Sequence, residues 1–252
     1  MAAALHVVTA GVGPRIVFVH GSATDAATWS IQLAPRSLLR EHFTLISYTR
    51  RSTGSVEDHA DDAIELIGDV PALIVGSSFG AVVSLEVLRR QLPAIRGAVL
   101  IEPPMSADDA TPAAPLAFLG EFDRRLAEQG GPAAGEFFLR TVLGEVAFDR
   151  IPEPFRERSI ARWAEIRADS QALIAYRPRY PELSSIATPV LLLGGDRSAA
   201  YFRPTLEALR RSLPNATLEV IRGAGHMLHA EAHRQFAELV TAFAGHCTLA
   251  PD

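Results

Sequence analysis

Lysine is missing altogether: all 24 basic residues are arginine. This excludes a catalytic lysine, and with it Schiff-base chemistry, a pyridoxal-phosphate anchor and a phosphate-loop lysine. Cysteine occurs once, as Cys247 near the end of the chain, so neither an internal disulfide nor a four-cysteine zinc site can form. At such a position the thiol is expected to be inert. Positive charge is not in excess either. The balance of 24 basic against 29 acidic residues is −5, and no global field recruits nucleic acid. Long hydrophobic runs are lacking too. The uncharged stretch 72–85 is too short, and too rich in Gly and Ser, to span a bilayer. Residues 1–14 carry no basic region and only a brief apolar run, so no signal peptide and a cytoplasmic location are expected.

What is present fits a globular protein. A chain of 252 residues, 48% hydrophobic and 21% charged, can bury a substantial core without disulfides or a structural metal. Short apolar runs at 5–9, 16–19, 44–48, 72–75, 97–101, 190–193 and 217–221 read as strands. Helical periodicity appears at 56–67, 79–91, 204–212 and 228–244. Continuous apolar strands alternating with helices imply an α/β fold with a mostly parallel, doubly wound sheet covered on both faces. From 103 to 183 no strand-like run occurs, and the stretches 116–129, 135–143 and 154–167 suit helices. We read this region as a helical cap inserted into a core formed by 1–102 and 184–252.

Four motifs carry the chemistry. Gly76-Ser77-Ser78-Phe79-Gly80 is a G-x-S-x-G between a predicted strand and a predicted helix, the context such a nucleophile elbow requires. Two glycines let strand and helix approach closely, and Ser78 then projects at a helix N-terminus, where developing negative charge is stabilised. His20-Gly21-Ser22 follows the strand 16–19, so the N–H of Ser22 is the expected second oxyanion donor beside that of Phe79. Gly223-Ala224-Gly225-His226 places a histidine on a Gly-rich loop after the last strand, free to act as base. Gly194-Gly195-Asp196 follows the strand 190–193, and the order Ser78, Asp196, His226 is the expected chain order of nucleophile, acid and base. Glu102, after the strand 97–101, is the alternative acid. Asp196 is favoured because its Gly-Gly turn exposes the carboxylate, whereas Pro103-Pro104 beside Glu102 suit a pocket or hinge role.

With these pieces the chain resembles the α/β-hydrolase superfamily, in its serine-nucleophile branch with a helical cap. Trp29 after the His20-Gly21 pair and the run Gly225-His226-Met227-Leu228-His229 belong to the same likeness. One stretch departs from it. Many relatives have Asp-x-Arg-Gly-x-Gly-x-Ser after the third strand, where this chain has Thr49-Arg50-Arg51-Ser52-Thr53-Gly54-Ser55. Serine rather than aspartate in the elbow disfavours the dehalogenase and epoxide-hydrolase branches.

Other features read as structural. His229 and His233 with Glu231 between them are not H-E-x-x-H and suit a helix surface rather than zinc. The pairs Arg50–Arg51, Arg89–Arg90, Arg124–Arg125 and Arg210–Arg211 suit solvated faces. Phe118, Phe122, Phe137, Phe138, Leu139 and Leu143 of the insertion pack it internally and, being apolar, would favour an apolar acyl or ring portion of a substrate. The expected function is hydrolysis of a carboxylic ester, lactone or thioester of a small molecule through an acyl-enzyme. No cofactor, metal, nucleic acid or membrane is required. C–C bond hydrolysis, cofactor-free perhydrolysis, lyase chemistry or non-catalytic binding of a small molecule are the alternatives on the same scaffold.

Overall fold

The computed structural model describes residues 5–111, 116–247 and 249. Strand β1 (His6–Ala10) is followed by β2 (Arg15–Val19), a 3-10 turn at Ala26–Trp29, α1 (Ser30–Leu33), α2 (Leu38–His42), β3 (Thr44–Thr49) and α3 (Val56–Ile67). Next come β4 (Ala72–Ser77), α4 (Phe79–Arg89) and β5 (Ile95–Ile101). The helical insertion contributes α5 (Leu116–Gln129), α6 (Gly131–Leu143), α7 (Glu145–Arg150), α8 (Glu153–Ala161) and α9 (Trp163–Ala175). The chain ends with β6 (Val190–Gly195), α10 (Phe202–Ser212), β7 (Ala216–Ile221), α11 (Leu228–Glu231) and α12 (His233–Ala244).

The strands form one seven-stranded sheet in the order β1-β3-β2-β4-β5-β6-β7. Only β1 runs antiparallel, pairing His6 with Thr49 and Ala10 with Leu45; the other five pairings are parallel. Every residue of β4 is buried, as a central strand covered on both faces demands. Successive side chains alternate between two cores. Val17, Val19 and Ile74 pack with Val82 and Leu85 of α4 on one face, whereas Ile16, Phe18, Leu73 and Val75 pack with Phe236 and Val240 of α12 on the other. The outermost strands β1 and β7 have mostly exposed or half-buried residues.

The sequence expectation thus holds for the sheet and for α3, which opens on a reciprocal capping box between Ser55 and Asp58. Two helices differ. The expected helix 228–244 is broken at Ala232 (φ −120°, ψ 41°) into α11 and α12. The expected helix 154–167 is broken at Arg162 (φ −83°, ψ 20°), and its second part runs on to Ala175. The insertion has a small core of its own: Phe122, Ala134, Leu139, Phe148 and Ile166 cluster there, joined by Ala23 from the loop after β2. Cys247 follows α12. It is buried against Gly97, where a Cβ would lie 2.6 Å from its Sγ, and burial pushes its thiol up to about 11. Among the described residues no helix is long and apolar enough to cross a membrane.

Candidate active site

The parallel strands bring their C-terminal ends to one edge. Hydrogen bonds there run from Ser78 N to Ile101 O (2.8 Å), from Glu102 N to Leu193 O (3.1 Å) and from Asp196 N to Ile221 O (3.2 Å). In an open α/β sheet this is the edge at which ligands bind.

Ser78 sits between β4 and α4 with φ 56° and ψ −124°, a conformation that costs a non-glycine residue on the order of 1–3 kcal/mol. The turn is held by close packing around its glycines. A Cβ on Gly76 would lie 2.2 Å from Gly80 O, and one on Gly80 would lie 2.2 Å from Val19 O of β2. Ser78 is half-buried and heads α4, whose N-terminal dipole favours negative charge. Ser77, its neighbour, is buried at the end of β4.

The oxyanion candidates are Phe79, the residue after the serine, and Ser22, on the loop after β2. Among the described residues neither the N–H of Phe79 nor that of Ser22 has an acceptor. The loop carrying Ser22 presses on the nucleophile: a Cβ on Gly21 would stand 2.9 Å from Ser78 Cβ.

The histidine and its partner require a correction. His226 Nδ1 lies 2.7 Å from Glu102 Oε2, both residues being buried, and Glu102 Oε1 accepts the N–H of Gly195 at 2.8 Å. Asp196, favoured from the sequence, does not reach the imidazole. It is exposed, and its Oδ1 accepts the N–H of Gly223 at 2.7 Å. The physical reason lies in Gly194-Gly195. A Cβ on Gly195 would lie 2.3 Å from Ala224 O, so the glycine admits the histidine loop against the end of β6. The longer Glu102 side chain, turned inward by a φ of 43°, reaches past β6 to His226. Exposure, which made Asp196 attractive, is the property that leaves its carboxylate solvated.

With Nδ1–H donated to Glu102, His226 Nε2 is the free acceptor. Among the described residues no hydrogen bond yet joins it to Ser78 Oγ, and catalytic hydrogen bonds of this kind commonly tighten only with substrate. Phe202 stacks on the imidazole at 4.4 Å and 8° between planes, and the ring of Tyr201 lies 4.1 Å from that of Phe202, tilted by 38°.

Other sequence readings also change. His229 is not on a helix surface: it is buried against Trp29 at 4.6 Å, and burial pushes its imidazole down to about 3. Glu231 accepts the N–H of Gly225 at 2.9 Å and so steadies the histidine loop. Arg50 is no solvated cation. It is buried and pairs with Asp169 of α9 through its two terminal guanidinium nitrogens, at 2.7 and 3.2 Å. Arg51 turns outward to Asp62 instead. Arg89 is half-buried, bonded to Pro178 O at 2.8 Å and paired with Glu86 at 3.2 Å. Sequence reasoning missed Asp169. The available signal was a polar pair, Asp169-Ser170, on the face that Ile166 and Leu173 otherwise make apolar at helical spacing.

An open cleft of about 540 Å3 lies on the insertion between α5 and α6, lined by residues including Arg125, Glu136, Phe137 and Arg140. None of its residues belongs to the elbow or the histidine loop.

The family model described as "Alpha/beta hydrolase family" matches residues 16–239. The chain belongs to the alpha/beta hydrolase family and is a hydrolase. It is 24% identical to the carboxylesterase YbfK of Bacillus subtilis (strain 168), covering 94% of this chain and 83% of that protein. An alpha/beta hydrolase from Sphaerobacter thermophilus DSM 20745 superposes with a TM-score of 0.77 at 26% identity, over 95% of each chain. The enol-lactonase from Burkholderia xenovorans LB400 shares the fold with a TM-score of 0.76 at 20% identity, over 96% of each chain.

Proposed function

We propose that the protein is a serine hydrolase of carboxylic esters, lactones included, with Ser78 as nucleophile, His226 as base and Glu102 as acid. The observation that carries this reading is the buried 2.7 Å contact between His226 Nδ1 and Glu102 Oε2, on the sheet edge that also holds the strained Ser78. The relationship to a carboxylesterase supports the ester as the bond cleaved.

In this mechanism Ser78 Oγ attacks the carbonyl carbon as His226 Nε2 takes its proton. Glu102 keeps the imidazole in the productive tautomer and stabilises the imidazolium. The N–H groups of Phe79 and Ser22 receive the oxyanion; one such donor is typically worth about 3–4 kcal/mol. Collapse of the tetrahedral intermediate expels the alcohol, which takes the proton from His226. A water deprotonated by His226 then attacks the acyl-enzyme and releases the acid. The chemistry uses no cofactor. The insertion, residues 103–183, is read as a cap over the site that favours substrates with an apolar acyl or ring portion.

The test is labelling of Ser78 by an organophosphonate together with turnover of p-nitrophenyl acyl esters and lactones. Labelling located by mass spectrometry on Ser78, plus ester turnover lost in Ser78→Ala, is the expected result. Labelling without turnover of any ester or lactone would overturn the hydrolase mechanism in favour of a binder or a lyase.

A further inference from the structure

We propose that Asp169, acting through Arg50 and the hydroxyl of Ser22, is a positioning residue that lets the helical insertion set the oxyanion donor of the core. This rests on the reading of Ser78 as nucleophile and of the Ser22 N–H as an oxyanion donor.

Three hydrogen bonds fix the Gly21–Ser22 peptide. Gly21 O accepts from His20 Nδ1 at 2.7 Å, from Thr24 Oγ1 at 3.1 Å and from Arg50 Nη2 at 3.3 Å. The donor role of His20 Nδ1 follows from its other nitrogen, Nε2, which accepts the backbone N–H of Arg50 at 2.9 Å. Burial and the Arg50 charge hold this imidazole well below its ordinary range, hence neutral. No peptide bond of the described chain is cis. In a trans peptide the N–H points away from the carbonyl oxygen. Anchoring Gly21 O therefore aims the Ser22 N–H to the opposite side, and Gly21 itself lies against Ser78.

Arg50 is the centre of this arrangement. Its Nε donates to His20 O at 3.0 Å, and its guanidinium lies 4.4 Å over the ring of Phe79, the residue that carries the other donor. Arg50 thus touches both sides of the oxyanion site, and what holds it is a residue of the insertion. Asp169 of α9 takes the guanidinium at both oxygens, and its Oδ2 also accepts the Ser22 hydroxyl at 2.7 Å. His59, which faces the same carboxylate at 3.9 Å, accepts from Arg50 Nη1 at 3.3 Å.

The loop is fastened to the insertion twice more. Ala23 (φ 62°) joins the insertion's apolar cluster with Phe122 and Ile166, and Asp25 accepts from Arg162 at 2.6 Å. Loss of the Asp169 carboxylate leaves these two fastenings in place and releases Arg50, one of the three donors to Gly21 O, together with the Ser22 hydroxyl. A purely structural ion pair between insertion and core would behave differently: it would change stability and leave the chemical step alone.

The experiment compares wild type with Asp169→Asn and Ser22→Ala. It measures steady-state hydrolysis of p-nitrophenyl butyrate, phosphorylation of Ser78 by diethyl p-nitrophenyl phosphate, and hydrogen exchange along the chain. Losing an oxyanion donor costs about 10²–10³ in kcat, and displacing one costs less. Asp169→Asn is expected to lower kcat by about thirtyfold with KM within about twofold, and to slow Ser78 phosphorylation by a similar factor. Ser22→Ala, which keeps the ion pair, is expected to show a smaller loss of the same kind and serves if Asp169→Asn does not fold. Exchange in 20–24 should quicken in both variants while α9 keeps its protection. A rise in KM with kcat unchanged, or wild-type kinetics in folded variants, overturns the proposal. If wild-type Ser78 neither hydrolyses nor is phosphorylated, the serine-hydrolase reading fails. The oxyanion role of Ser22 then falls with it, and unchanged exchange in 20–24 would also overturn the hold of Asp169 on the loop.

Discussion

Glu102 Oε2 lies 2.7 Å from His226 Nδ1, while the carboxylate of Asp196 is turned to the N–H of Gly223. The carboxylate that meets His226 thus comes from the end of β5, not from the end of β6. Glu102→Gln should lower kcat by about 10⁴-fold, as loss of the tautomer-setting carboxylate does in serine proteases. Asp196→Asn keeps an acceptor for Gly223 and should leave kcat within about threefold, as expected of an exposed residue away from the chemistry. Steady-state ester hydrolysis by the two variants checks this, and a larger loss in Asp196→Asn would return the acid role to β6.

The same pair marks where the sequence was legible. Strand positions, the elbow and the histidine loop were readable because each is specified locally: apolar runs give buried strands, and Gly76 and Gly80 announce a close approach. The partner of His226 was not, because it depends on how far β5, β6 and the 223–226 loop stand from one another. In sequence Gly194-Gly195 suggests an exposed carboxylate; in the structure it admits a neighbouring loop. Arg50 and Asp169 were missed for the same reason. They are 119 residues apart in the chain, and a surface pair of arginines looks no different in sequence from one surface arginine and one buried one. His229 lies on a helix whose periodicity the break at Ala232 obscures.

The strain at Ser78 makes a separate claim about stability. Its φ of 56° is readily adopted only by glycine. Ser78→Ala should be inactive with the fold retained, because the side chain makes no hydrogen bond among the described residues. Ser78→Gly should be inactive and more stable than Ser78→Ala by about 1 kcal/mol, the relief of strain exceeding the entropy cost of glycine. Denaturant unfolding of the two inactive variants decides it; equal stabilities would mean that the elbow stores no strain that glycine can release.

The aromatic side chains of the insertion divide by burial. Phe122 is fully buried in the insertion's own core, whereas Phe118 is half-buried, stacked on Phe137 at 5.3 Å. Phe122→Ala should cost about 3–5 kcal/mol of stability, as large-to-small core changes do. Its dependence of kcat/KM on acyl length should match that of wild type. Melting curves and an acyl series from acetate to octanoate test both halves. A shifted chain-length optimum would place Phe122 in the substrate pocket instead of the core.

Two buried imidazoles set the acid side of the stability profile. Burial, with the Arg50 charge second, pushes His59 down to about 4, and burial, with His226 second, pushes His229 down to about 3. Unfolded, both titrate near 6.5. Below that pH the unfolded chain binds protons that the folded chain refuses, so their contribution is complete above pH 6.5 and declines as the pH falls. Each histidine adds up to about 1.4 kcal/mol per pH unit to the slope, His59 until about pH 4 and His229 until about pH 3. Glu86, whose carboxyl burial pushes up, works in the opposite sense, so the total slope mixes signs and a difference measurement is needed. His229→Leu supplies it. Both ring nitrogens of His229 are buried without a partner among the described residues, and an apolar side chain of similar size should leave stability at pH 7.5 little changed. Guanidinium unfolding at pH 7.5, 6.0, 5.0 and 4.5 should show wild type losing stability toward acid faster than His229→Leu, the gap widening by about 1 kcal/mol per unit below pH 6. Parallel profiles would mean that His229 takes up its proton in the folded protein as readily as in the unfolded one, and that burial against Trp29 does not hold it neutral.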